Sequence, residues 1–216
     1  MTTPLRTEPA PPPFTVGFDL DMTLIDSRPG IRAAYEALAA ETGVAIDADL
    51  AVSRLGPPLV HELREWFAEE DVARMATRYR ELYPVLAIAP TVPMPGAREA
   101  LAAVRELGGR SVVVTAKHGG NARLHLEHLG LEPDALIGDL WAEQKAVALR
   151  AEGAGIYVGD HTGDVRGART AGALSVAVPT GPCPAEELRA AGADVVLDGL
   201  AAFPAWLAEH RAGKAA

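Results

Sequence analysis

Lysine is nearly missing from this chain. Of 216 residues only Lys117, Lys145 and Lys214 are lysines, and 20 basic against 29 acidic residues leave a formal charge of -9. Such a charge repels nucleic acid and anionic membrane at long range, and the arginines are scattered rather than gathered into a patch, so neither is expected as a partner. Cysteine occurs once, as Cys183 between two prolines. A single thiol makes no intramolecular disulfide, and no neighbour in sequence supplies the base or cation that activates a nucleophile, so Cys183 reads as a loop thiol. No apolar run approaches the roughly 18 to 20 residues that span a bilayer. Pro11-Pro12-Pro13 stand where a signal peptide would carry its apolar core. These absences predict a soluble, cytoplasmic protein, monomer or homodimer, with residues 1–13 a disordered or polyproline-type lead-in.

What is abundant is aliphatic. Half the residues are apolar but only 5% aromatic, and Ala-rich stretches with helical spacing alternate with short Val-rich runs. Strands are expected at Phe14 to Leu20, Ser111 to Thr115, Asp134 to Ile137, Gly155 to Val158, Ala173 to Val178 and Asp194 to Leu197. Helices between them end at glycines: Ala97 to Leu107, Asn121 to Leu129 and Thr162 to Ala171. Repeated βα alternation with right-handed crossovers builds an α/β doubly wound parallel sheet. From Arg28 to Ala89 only amphipathic helical patterns occur, at Ile31 to Ala40, Leu59 to Phe67 and Val72 to Leu86. The predicted organisation is a core of residues 14–27 and 91–211, with a small all-helical cap, residues 28–90, inserted after the first strand.

The first strand ends in Asp19-Leu20-Asp21, and a later one in Gly159-Asp160-His161-Thr162-Gly163-Asp164. If both strands are central and parallel, their carboxyl ends converge and four carboxylates share one site. Like charges that close stay ionised together only beside a cation, and hard oxygen donors select Mg²⁺. Asp19, Asp21, Asp160 and Asp164 are therefore the candidate metal ligands.

The run from Asp19 to Ser27 resembles the first motif of haloacid dehalogenase-type phosphatases, and Gly159-Asp160 through Asp164 resembles their last. The likeness covers roughly Phe14 to Trp206, and is nearest to the phosphoglycolate phosphatase-like group, which has a similar stretch to Ala168–Ala173 after its acidic motif. The resemblance implies a phosphatase in which Asp19 attacks phosphorus, Asp21 is the acid/base, and Mg²⁺ lies on Asp19, Asp160 and the Asp21 main-chain carbonyl, with Asp164 bound directly or through water. It also implies a Ser or Thr and a Lys on the transferring phosphoryl group: Thr115, and Lys145 with Lys117 as the contender. Ala116 stands where the group often has Asn; its amide can still donate to a phosphoryl oxygen.

Other candidates come from position alone. His118, beside Gly119-Gly120, and His161 are loop histidines within reach of a site; Arg54, in Arg54-Leu55-Gly56-Pro57-Pro58, with Arg28 and Arg32, could clamp an anionic group. Within the family it resembles, Asp21 argues against the dehalogenase branch, which lacks an acid there, and the absence of lysine between Arg28 and Ala89 argues against the phosphonatase branch, which uses a cap lysine. The expected substrate is a small phosphorylated metabolite, phosphoglycolate or a sugar or nucleotide phosphate. The alternatives are a phosphomutase resembling β-phosphoglucomutase and a low-activity phosphate-binding module.

Overall fold

The computed structural model describes residues 14–215; the lead-in expected over residues 1–13 lies outside the described residues. The chain begins with β1 (Thr15–Phe18), buried along its length, and turns into a two-residue strand, β2 (Ile25–Asp26). Four helices follow: α1 (Arg28–Thr42), α2 (Ala48–Ser53), α3 (Leu59–Leu63) and α4 (Glu69–Leu86). After β3 (Val92–Pro93) come α5 (Ala97–Glu106), β4 (Arg110–Val114), α6 (Gly119–Leu129), β5 (Ala135–Ile137) and α7 (Lys145–Ala151). The chain finishes with β6 (Ala154–Gly159), α8 (Thr162–Ala171), β7 (Leu174–Ala177), α9 (Ala185–Ala190), β8 (Val195–Val196) and α10 (Phe203–Ala215).

Six strands form one parallel sheet in the order β5-β4-β1-β6-β7-β8. The chain steps from β1 outward through β4 and β5, then crosses back to lay β6 on the other flank of β1. This reversal is the switch point of a doubly wound sheet, where loops at the carboxyl ends part and leave a crevice. Asp19, Thr115 and Asp160, which end β1, β4 and β6, stand side by side there.

Alternation along the strands feeds two cores. Val16, Phe18, Val113 and Val158 pack with α5, α6 and α10 through Leu101, Val104, Leu126, Phe203 and Leu207. Val112, Val114 and Tyr157 face the other way, against Leu149 of α7 and Ala168 of α8. Gly17 sits beneath that second layer. A Cβ there would lie 2.7 Å from both Leu149 Cδ2 and the Tyr157 ring, so the missing side chain is what lets Tyr157 lie flat across β1.

The cap helices hold a separate apolar cluster that includes Tyr35, Leu38, Leu63, Met75 and Tyr79. Their entry and exit run side by side, because β2 and β3 pair antiparallel, Ile25 with Pro93 and Asp26 with Val92. That ribbon was not expected; two residues a side carry no period to read. The helix expected over Leu59 to Phe67 stops at Leu63, and α2, only six residues behind its Asp47 N-cap, is too short to show an amphipathic pattern.

Candidate active site

The loop after β1 is set by the sheet at one end and by its own turn at the other. Asp19 N donates to Val158 O of β6 at 2.8 Å, and Ile25 N and Leu24 N donate back to Leu20 O. The turn needs a left-handed residue, and Met22 takes it at φ 60 although it is no glycine, a strain of about 1 kcal/mol. Its buried side chain and a 2.5 Å hydrogen bond from Thr180 Oγ1 to Met22 O hold it there. Thr23 Oγ1 donates to Asp160 Oδ1 at 3.0 Å, tying the two acidic clusters together.

Lys145 lies at the centre with no solvent exposure. Its ammonium has three protons and meets three acceptors: Asp19 Oδ1 at 2.9 Å, Asp164 Oδ1 at 2.6 Å and the Tyr157 hydroxyl at 2.8 Å. Tyr157 passes its own proton to Val114 O. Burial opposes the Lys145 charge, but Asp164 and Asp19 outweigh it and hold its pKa above the ordinary lysine value. Asp164 is engaged at both oxygens, since Oδ2 accepts from the His161 amide at 3.1 Å.

One carboxylate oxygen from each of Asp19, Asp160 and Asp164 lies within 4.8 Å of the others. One ammonium against three carboxylates leaves two negative charges uncompensated. Burial, with the neighbouring carboxylates adding to it, pushes the Asp19 and Asp160 pKa values above the ordinary range. A buried, hard-oxygen cluster short of two positive charges fits a divalent cation such as Mg²⁺.

Asp21 has a different setting. Its Oδ1 receives Lys117 Nζ at 2.9 Å and the Ser27 hydroxyl. Burial alone would raise its pKa; Lys117 and Ser27 overcome that and lower it. Lys117 also donates to the Tyr83 hydroxyl of α4 at 2.8 Å, and that hydroxyl lies 3.0 Å from His125 Nε2 of α6. The two candidate lysines thus divide the two aspartates: Lys145 takes Asp19 and Lys117 takes Asp21.

A family model for haloacid dehalogenase-like hydrolases matches residues 16–169, the span from β1 through α8. The chain belongs to that family. A second model, for HAD-hydrolase-like proteins, matches residues 144–203. The chain is 32% identical to the phosphoglycolate phosphatase of Rhodospirillum rubrum, over 90% of this chain and 91% of that protein. It is 30% identical to the tyrosine-protein kinase PtkA of Mycobacterium tuberculosis, over 80% of this chain but only 64% of PtkA, so it spans a little under two thirds of that protein's length. Among solved structures, a haloacid dehalogenase-like family protein from Streptococcus pneumoniae superposes with a TM-score of 0.79, covering 92% of this chain and 98% of that one; at 23% identity this shows the fold.

In this haloacid dehalogenase-like chain a cavity of about 170 Å³ opens above Asp19 and Asp21, between core and cap. Thr115, Ala116, Lys117 and His118 line its floor, and Tyr35, Arg54, Leu59, Tyr79 and Arg80 its roof. Arg54 faces the cavity but is tied down: it donates to both oxygens of Glu62 at 2.6 and 3.2 Å. Arg80, not among the arginines expected to clamp an anion, lines the same roof with its Nε buried and unpartnered. No pattern marks it out among the arginines of α4. Arg28 and Arg32 are not brought to the cavity. They pair with Asp26 and Asp49 along a separate crevice beside Thr180 and Pro182.

His161 supports its loop rather than the cavity. Its Nδ1 accepts from Gly163 N at 2.9 Å, its ring lies 5.0 Å from that of Trp141, and Gly56 of the cap (φ 135) comes so close that a Cβ would sit 2.8 Å from the imidazole. Cys183 is buried beneath α9 with its thiol pKa raised by that burial. Both facts agree with an unreactive thiol. No helix among the described residues is long and apolar enough to cross a membrane.

Proposed function

We propose that this chain is a Mg²⁺-dependent phosphatase that hydrolyses a small phosphomonoester through an aspartyl-phosphate on Asp19. The observation that carries this reading is that Asp19 and Asp21 open on one cavity, Asp19 beside the buried Asp160 and Asp164 carboxylates and Asp21 beside Lys117. One is the nucleophile and the other the proton carrier.

Lys145 occupies Asp19 Oδ1 and leaves the second oxygen to attack phosphorus. The Thr115 hydroxyl, the Ala116 amide and Lys117 line the adjoining floor and hold the equatorial oxygens, on which charge spreads in the transition state. Asp21 takes a proton from the water that cleaves the aspartyl-phosphate, the half of the cycle that its lowered pKa favours, and passes that proton to the leaving oxygen of the next substrate. Asp19, Asp160 and the Asp21 carbonyl would hold Mg²⁺, with Asp164 beside them as a partner, directly or through water. Bound there, the ion supplies charge neutralisation for the phosphoryl group and the carboxylates. The helices of residues 28–90 form a domain that closes over the cavity and excludes water.

The size of the cavity and the name of the Rhodospirillum relative both support a small substrate of the phosphoglycolate kind. Phosphate release from phosphoglycolate, sugar phosphates and nucleotides, with Mg²⁺ and with chelator, tests the reading. Metal-dependent release ranked toward the smallest esters is expected; no release from any of them under either condition contradicts it.

A further inference from the structure

Tyr83, near the end of α4 in the cap, stands between two core side chains. Its hydroxyl accepts a hydrogen bond from Lys117 Nζ and faces His125 Nε2. Its ring lies edge-on to the imidazole at 5.6 Å, and the Lys117 ammonium sits 4.7 Å from the ring centroid.

The protons along this chain run one way. An ammonium only donates, so the Tyr83 oxygen accepts from Lys117 and its own proton goes to His125 Nε2. That requires a neutral imidazole protonated at Nδ1. Burial, with Lys117 adding to it, lowers the His125 pKa to about 4, and burial pushes the Tyr83 hydroxyl up to about 12. His125 Nδ1 then has no partner, although His125 is fully buried, an arrangement that costs about 1–3 kcal/mol. A leucine would fill the space without that cost. What the imidazole adds is an acceptor for Tyr83.

We propose that Tyr83 is a positioning residue for the phosphatase reaction: its hydroxyl, braced by His125, fixes Lys117 against Asp21 when the cap is seated. The acid/base carboxylate and its cation are then in their working arrangement only while the cavity is covered. The proposal rests on the phosphatase reading above.

The test uses the full chain with Mg²⁺ and para-nitrophenyl phosphate. Tyr83→Phe keeps the ring and should lower kcat about tenfold with KM little changed and circular dichroism retained. Lys117→Met should lose more, and the double variant no more than Lys117→Met alone, because Tyr83 acts through Lys117. His125→Leu removes the brace and should reproduce the Tyr83→Phe loss, which keeps the question answerable if that variant does not fold. An unchanged kcat, a loss confined to KM, or additive losses in the double variant would overturn the proposal while leaving the phosphatase reading intact. A wild type with no Mg²⁺-dependent turnover would overturn both.

Discussion

Lys145 donates to three buried acceptors at once, so water cannot replace it. Lys145→Met leaves Asp19 and Asp164 without their cation, and breaking a buried pair of this kind costs about 3 kcal/mol. Urea unfolding should show that loss near neutral pH and a smaller one near pH 5, because the uncompensated carboxylates relieve it by taking up protons; equal losses at both would contradict the account. Arg80 lines the cavity and has a buried, unpartnered Nε, whereas Arg54 is committed to Glu62. Arg80→Ala should therefore raise KM several-fold more than Arg54→Ala, in steady-state assays on the preferred ester. At this scale legibility was uneven. Asp19 and Asp160 could be placed from sequence because each ends an apolar strand, but which lysine meets which aspartate depends on strand order. Arg80, Tyr83 and His125 have no local signal; each matters through a partner at least 34 residues away or through a cavity that only the fold creates.

Strand β1 is packed so closely under Tyr157 and Leu149 that Gly17 has no room for a methyl group. Gly17→Ala should cost about 1–3 kcal/mol by overpacking, and should also slow turnover, because the ring it displaces carries the hydroxyl that receives Lys145. Thermal unfolding and phosphate release on the same variant check this; a stable, fully active Gly17→Ala would show that β1 and α7 tolerate separation. The strands of the sheet were legible because burial on both faces writes continuous Val-rich runs, and the helices because glycines end them. The β2–β3 ribbon and α2 were not, since pairing across 66 residues leaves two-residue elements with no period. The early end of α3 at Leu63 likewise reflects packing of the cap rather than the spacing of its apolar residues.

Taken whole, the molecule carries a formal charge of -9 and concentrates three carboxylates at one buried point. The folded-state pKa values of Asp19 and Asp160 are raised above the ordinary carboxylate range by burial and by the neighbouring carboxylates. The folded chain without metal therefore binds more protons than the unfolded one, and its stability falls as pH rises through that raised range. A cation must displace those protons to bind, so the rise in Tm on adding Mg²⁺ should be larger near pH 8 than near pH 5.5 and should vanish in Asp160→Asn. A pH-independent rise would point to binding elsewhere. The central claim is that Asp19 is the nucleophile, and the most direct measurement is Mg²⁺-dependent phosphate release by Asp19→Asn beside the wild type, both shown to be folded. The account predicts a loss of at least about a thousandfold; an Asp19→Asn chain that turns over at the wild-type rate would contradict it.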